Sequence, residues 1–146
     1  MSAPARTFAL VGPGRAGRAV ATGLLSAGWV CNAVAGRDRA APSVRDAAAT
    51  LGAPAVDVFE AARNCEVVVL ATPDDRIAGA AASVARGAAP GVLFVHLAGS
   101  LGLDVFDDVR SLRPDLRVGA LHPPHGDPHP GTRCPPTGRW PVRSHR

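Results

Sequence analysis

No stretch of about 18 residues in this sequence stays apolar without a charge, so no membrane-spanning helix is expected. The opening Met1–Arg6 runs straight into a short apolar segment. It lacks the longer apolar core and small-residue cleavage site of a secretory signal, so the expectation is a cytoplasmic protein. Cysteine is scarce. Cys31, Cys65 and Cys134 form no CxxC pair and no repeated spacing, and two of them sit in apolar surroundings. They read as small buried hydrophobes rather than as redox or metal groups. Lysine is absent: all 16 basic side chains are arginine, which in a chain so rich in Ala, Gly and Pro reflects composition bias more than chemistry. No repeat appears at solenoid periods. The net charge of +4 falls mostly in residues 123–146, where Arg133, Arg139, Arg143 and Arg146 face only Asp127. A basic tail is a weaker signal than a basic folded face, so nucleic acid is not the expected partner.

What is present is a core: 146 residues, 47% hydrophobic, suffice for one domain and not for two. Thr7–Val11 is a short apolar run closed by Gly12, as a buried parallel strand would be. Arg15 to Ala27 reads as a helix stopped by Gly28, and Trp29 to Ala35 as a second strand. Ser43 to Leu51 reads as a helix, with Ser43 as N-cap and Gly52 past its end. A short strand at 53–56 and a brief helix at 57–64 follow. Glu66–Ala71 is the clearest strand, and Asp75 to Arg86 the next helix, its start carrying Asp74 and Asp75 as caps. Strand 92–96, helix 103–112 and strand 116–121 complete the alternation. Such alternation predicts an α/β fold: a doubly wound, mostly parallel sheet of the Rossmann type, in a single domain over residues 1–122.

The turn Gly12-Pro13-Gly14-Arg15-Ala16-Gly17 leaves a strand and opens a helix, which is the context that gives a GxGxxG pattern meaning. Gly12 permits the tight turn, Gly14 lets backbone approach a pyrophosphate, and Gly17 lets helix and strand pack closely. The free N–H groups near Arg15, Ala16 and Gly17 then face phosphates. A dinucleotide is the expected partner. About 20 residues on, NAD enzymes place an acid on the ribose 2′-hydroxyl, whereas this chain has Gly36-Arg37-Asp38-Arg39. Arg37 and Arg39 suit a 2′-phosphate, which favours NADP(H) over NAD. Asp38 keeps an NAD reading open if it turns inward. Arg37 also counts against an S-adenosylmethionine-dependent methyltransferase, which would hold a ribose with a carboxylate. Thr72 and Pro73 end the clearest strand at the edge where ligands bind: Thr72 can bond a phosphate or ribose, and Pro73 shapes the turn beneath.

His96 and His122 end strands at that same edge and are the candidate catalytic residues, able to orient a carbonyl or exchange a proton. The competing role for each is a backbone hydrogen bond. His122, His125, His129 and Cys134 fit no zinc pattern, and no metal site is expected.

The segments VGPGRAG, AGRDR, VVVLATPDDRI, VHLAGS and GALHP, spanning about residues 7 to 123, resemble Rossmann-like proteins with a DUF2520 domain. Those proteins are distant relatives of F420-dependent NADP oxidoreductases, pyrroline-5-carboxylate reductases and 6-phosphogluconate or β-hydroxyacid dehydrogenases. The resemblance implies an NADP(H)-binding domain of an oxidoreductase lineage acting on an unknown small molecule. The family's His-Thr-Ser-Gly appears here as His96-Leu97-Ala98-Gly99-Ser100, and its later His-Pro-Leu-Gln only as His122-Pro123. Relatives continue into a mostly helical second domain that commonly supplies substrate contacts and dimerisation. Residues 123–146, rich in Pro, Gly and Arg, do not resemble it. They are expected to be a disordered tail, reading as another translation frame or a truncation product. The expected activity is then doubtful for the chain alone, and a non-catalytic nucleotide-binding module is the alternative. The face left open predicts self-association, a homodimer included.

Overall fold

Thr7–Val11 (β1) is apolar at four of its five positions, and Phe8 through Val11 are wholly buried. A strand that hides both faces belongs in the middle of a parallel sheet. The computed structural model describes residues 6–121 and places β1 there. Around it lie helix α1 (Arg15–Ser26), β2 (Val30–Ala35), α2 (Pro42–Leu51), β3 (Ala55–Val56) and β4 (Val67–Leu70). Then come α3 (Ile77–Gly87), β5 (Leu93–His96), α4 (Asp107–Leu112) and β6 (Arg117–Ala120). All pairs are parallel and the order is β3-β2-β1-β4-β5-β6. The doubly wound α/β architecture is therefore as expected. The order reverses between β1 and β4, and the crevice at their carboxyl ends is where such sheets bind ligands.

Alternation along each strand splits the core in two. Phe8, Leu10, Val34 and Val69 pack on Ala21 of α1 and on Val44, Ala47 and Leu51 of α2. Ala9, Val11, Val68, Leu70 and Phe94 face the other way, onto Ile77, Ala81 and Val84 of α3 and Val109 of α4. No helix of the described residues is long and apolar enough to cross a membrane.

Several boundaries differ from expectation, for physical reasons. Helix α2 begins at Pro42, with Ala41 extended as its N-cap, so Ser43 is not the cap. Proline at the first helical position gives up an N–H that would have no partner there. The expected helix at 57–64 is only a single 3-10 turn, Val58–Glu60, because so short a segment cannot offset nucleation. Asp74 and Asp75 stand in a 3-10 turn, Asp74–Arg76, ahead of α3 and make no side-chain cap bond. Between Phe8 and Ala9 the β1–β2 register slips by one residue, leaving Asn32 as the extra. Its amide donates outward to the Asn64 carbonyl. The tail expectation, the boundary at 122/123, His122 and Cys134 lie outside the described residues.

Arg113 ties the far end of the domain together. Its guanidinium donates to the carbonyls of Ala85 at 3.0 Å and Ala88 at 3.1 Å, at the C-terminal end of α3. The same group holds both oxygens of Asp115 at 2.9 Å. That hydrogen-bonded pairing lowers the Asp115 carboxyl to about 2. A depressed folded-state value means the contribution is complete above the ordinary carboxylate range, near pH 4, and is lost as pH falls towards about 2. Denaturant melts of wild type and Asp115→Asn should therefore differ by a constant amount above pH 4 and converge as the pH drops below it.

Candidate functional site

The three glycines of the first turn do different work. Gly12 adopts φ +89°, and a Cβ there would lie 2.7 Å from the Thr72 nitrogen and 2.8 Å from the Ala71 carbonyl carbon. Its N–H donates to the Ala35 carbonyl at 2.8 Å, so this residue joins the ends of β1, β2 and β4. At Gly17 a Cβ would meet the Gly12 oxygen at 2.7 Å, the Ala71 Cβ at 2.8 Å and Leu10 Cδ1 at 3.0 Å. Both positions are closed to side chains by the protein itself. Gly14 is different: no atom lies within 4 Å of where its Cβ would be, and its backbone is extended, as any residue can be. The space in front of Gly14 is open to something outside the chain.

The first helical bond of α1 runs from the Arg18 N–H to the Gly14 carbonyl at 2.9 Å, so the N–H groups of Arg15, Ala16 and Gly17 have no helical acceptor. No acidic side chain occupies this first turn, and the positive end of the helix remains available to an anion.

A cleft of about 920 Å³ opens here, at the reversal point of the sheet. Of the residues expected to bind, Gly12, Pro13, Gly14, Arg37, Thr72 and Pro73 line it together. Arg15, Ala16 and Gly17 are not among the residues that line it. Arg39 is a correction. It does not line the cleft: its Nε lies 4.0 Å from the carboxylate of Asp57, just after β3, and both side chains are largely exposed. His96 is a second correction. The ring is fully buried, Nδ1 accepts the Ala98 N–H at 3.1 Å, and Nε2 donates to the Gly102 carbonyl at 3.0 Å. Both nitrogens hold the loop after β5, and neither is free for a substrate. His122 lies outside the described residues.

The cleft is also lined by residues not expected to bind the cofactor, apart from Asp38, whose inward turn the sequence leaves open. Asp38 and Ser43 stand beside Arg37, and Asp75 and Arg76 beside Pro73. Asp38 Oδ1 accepts the Ala40 N–H at 2.8 Å, which ties one carboxylate oxygen to its own loop. Arg18 was missed altogether. Its Nε donates to the Pro13 carbonyl at 3.1 Å and its Nη2 to the Ser43 carbonyl at 3.0 Å, binding the glycine turn to the start of α2. The only signal for it is an arginine one turn into α1. Thr72 supplies a last clue: its Oγ1 is buried and has no partner among the described residues, a costly state for a hydroxyl. An orphaned hydroxyl, an open Gly14 and unpaired helix N–H groups together fit a nucleotide diphosphate.

Residues 7–99 match the family model described as NADP oxidoreductase, coenzyme F420-dependent. The chain belongs to that family. As a member it is a nucleotide-binding domain of Rossmann type, and a nicotinamide dinucleotide is its ligand class. Solved structures agree on the fold. A Bacteroides fragilis protein provisionally assigned as an NADP oxidoreductase superposes with a TM-score of 0.71 at 21% identity, covering 84% of this chain and 46% of that one. Prephenate dehydrogenase from A. aeolicus gives 0.67 at 16% identity, covering 88% and 45%. Pyrroline-5-carboxylate reductase from Coxiella burnetii gives 0.62 at 18%, covering 77% and 42%. The chain thus spans less than half the length of each. No curated protein matches it significantly.

For this oxidoreductase-family domain the glycine geometry gives a direct test. Gly14→Ala should change stability by about 1 kcal/mol or less, the cost of a poorer N-cap, yet weaken dinucleotide binding at least tenfold in a fluorescence titration. Gly17→Ala should instead lower stability by about 1–3 kcal/mol in a thermal melt, through overpacking. The described cysteines are inert by comparison. Burial, then the neighbouring Cys31, push the Cys65 thiol up to about 12, and burial raises Cys31. In peptide-resolved mass spectrometry neither should take up iodoacetamide in the native protein at pH 8, while both should after denaturation.

Proposed function

We propose that the chain is the NADP(H)-binding half of an oxidoreductase, preferring the 2′-phosphorylated cofactor over NAD(H). The observation that carries this reading is the contrast at the end of β2. Arg37 and Asp38 both line the cleft, but Asp38 has one carboxylate oxygen bonded to its own loop, while Arg37 has no partner among the described residues. A guanidinium attracts a phosphate there, and a carboxylate facing it would repel one. The family's description names NADP, which supports the reading. The A. aeolicus neighbour carries NAD+, at an identity that bears on fold alone. Within the family, the sequence segments favour the DUF2520 branch.

A bound nicotinamide would supply hydride exchange with a carbonyl or imine. This chain's own residues would hold the cofactor: backbone N–H groups of the first α1 turn and Thr72 Oγ1 on the diphosphate or ribose, Arg37 on the 2′-phosphate. No histidine or cysteine lines the cleft among the described residues. Substrate positioning and exclusion of water must come from elsewhere for turnover. A second reading, a nucleotide-binding subunit or sensor without chemistry of its own, is favoured by the burial of His96.

Calorimetric titration separates these claims. Wild type should bind NADPH roughly 10- to 100-fold more tightly than NADH, and Arg37→Ala should remove that margin while leaving NADH affinity in place. Equal or tighter binding of NADH by wild type would overturn the NADP preference. Oxidation of NADPH with a panel of imines and keto acids then divides enzyme from module: turnover supports the first, its absence with intact binding the second.

A further inference from the structure

A site for a dinucleotide must also receive the flat adenine ring. Nucleotide sites often stack the base on an aromatic side chain. No aromatic residue among the described residues lines this cleft. The chain has no tyrosine, four phenylalanines and two tryptophans. Phe8, Phe94 and Phe106 are fully buried in the core. Phe59 lies under the Arg63 guanidinium at 5.0 Å, and Trp29 under that of Arg6 at 5.6 Å. Among the described residues, none of the aromatic rings is available to a base.

Two residues with flat, delocalised side-chain groups line the cleft among the described residues: Arg37 and Arg76. They come from opposite sides of β1, Arg37 from the end of β2 and Arg76 from the turn after β4. The Arg76 N–H donates to the Pro73 carbonyl at 2.8 Å, which closes the 3-10 turn carrying the side chain. Neither guanidinium has an ion-pair or hydrogen-bond partner among the described residues, whereas Arg18, Arg39 and Arg113 are all engaged. Arg37 is assigned above to the 2′-phosphate. Arg76 has no assignment.

We propose that Arg76 is the base-recognising residue, its guanidinium stacking on the face of the adenine and standing in for the missing aromatic ring. This inference rests on the reading of the cleft as an adenine dinucleotide site, but not on the preference for NADP. A planar guanidinium lies flat on a π-system as an ammonium cannot, and Arg76 is the group of that kind left over. Stacking on the base draws on neither the 2′-phosphate nor the nicotinamide, so its contribution is common to ligands with and without them.

The test titrates wild type, Arg76→Ala, Arg76→Lys and Arg37→Ala, as full chains, with NADPH, NADH and ADP-ribose. Arg76→Ala should weaken all three ligands by a common factor of about tenfold. Arg76→Lys should not restore them, and the thermal melt should be unchanged, since the side chain is exposed and unpaired. Arg37→Ala should affect NADPH alone. A loss in Arg76→Ala confined to NADPH would show a phosphate contact and overturn the proposal. So would rescue by lysine, or no loss at all. Equal wild-type affinity for NADPH and NADH, with both lowered in Arg76→Ala, would uphold Arg76 and remove only the NADP preference. Failure of wild type to bind any of the three would remove both.

Discussion

The approach of the β1–α1 turn to the end of β4 governs the rest of this domain. Gly12 and Gly17 both press against Ala71, at separations where no Cβ can stand. That contact brings the first α1 turn alongside Thr72 and aims free N–H groups at the crevice where the strand order reverses. Two glycines are therefore spent on fitting backbone to backbone. The third, Gly14, is spared for whatever enters from outside.

Around this contact the remaining site residues are set by rigid elements rather than by long loops. Gly36 closes the end of β2 so tightly that a Cβ would lie 2.6 Å from Val44 of α2. Arg18 then joins α2 to the glycine turn through two carbonyls. The wall bearing Arg37, Asp38 and Ser43 is thereby held to the wall bearing Pro13 and Gly14 as one unit. Buried His96 does comparable work further along the edge. Its ring spans Ala98 and Gly102, and Ser100 in the same loop donates to Asp74 at 2.8 Å, joining the loops after β4 and β5.

Much of this was legible in the residues. Apolar runs closed by glycine mark β1 and β4, and the helices between them follow from 3.6-residue spacing, so the parallel order is forced by connection lengths and handedness. The glycine turn was legible because each glycine has a distinct steric task. What escaped were properties of side-chain direction. Arg37 and Arg39 are two residues apart with the same chemistry, yet only Arg37 lines the cleft, while Arg39 lies near Asp57. Strand-end position suggested a reactive His96, but the two backbone groups that claim its nitrogens belong to a loop whose path no local pattern encodes. Arg18 was invisible for a similar reason: it acts across elements far apart in sequence.

The all-parallel register has a consequence for how the chain assembles. No strand has a hairpin neighbour, so no pairing forms locally. Even the closest pair, β1 with β2, needs the whole of α1 between them, and β1 meets β4 only after residue 66, where the Glu66 N–H reaches the Thr7 carbonyl at 3.1 Å. Each such closure forfeits chain entropy before any ladder is made, which places the domain among slow folders with high contact order. β1 is thus made before β4, its second partner in the sheet. Until β4 emerges, one edge of β1 remains an unpaired apolar template, the state in which this polypeptide is most exposed to aggregation.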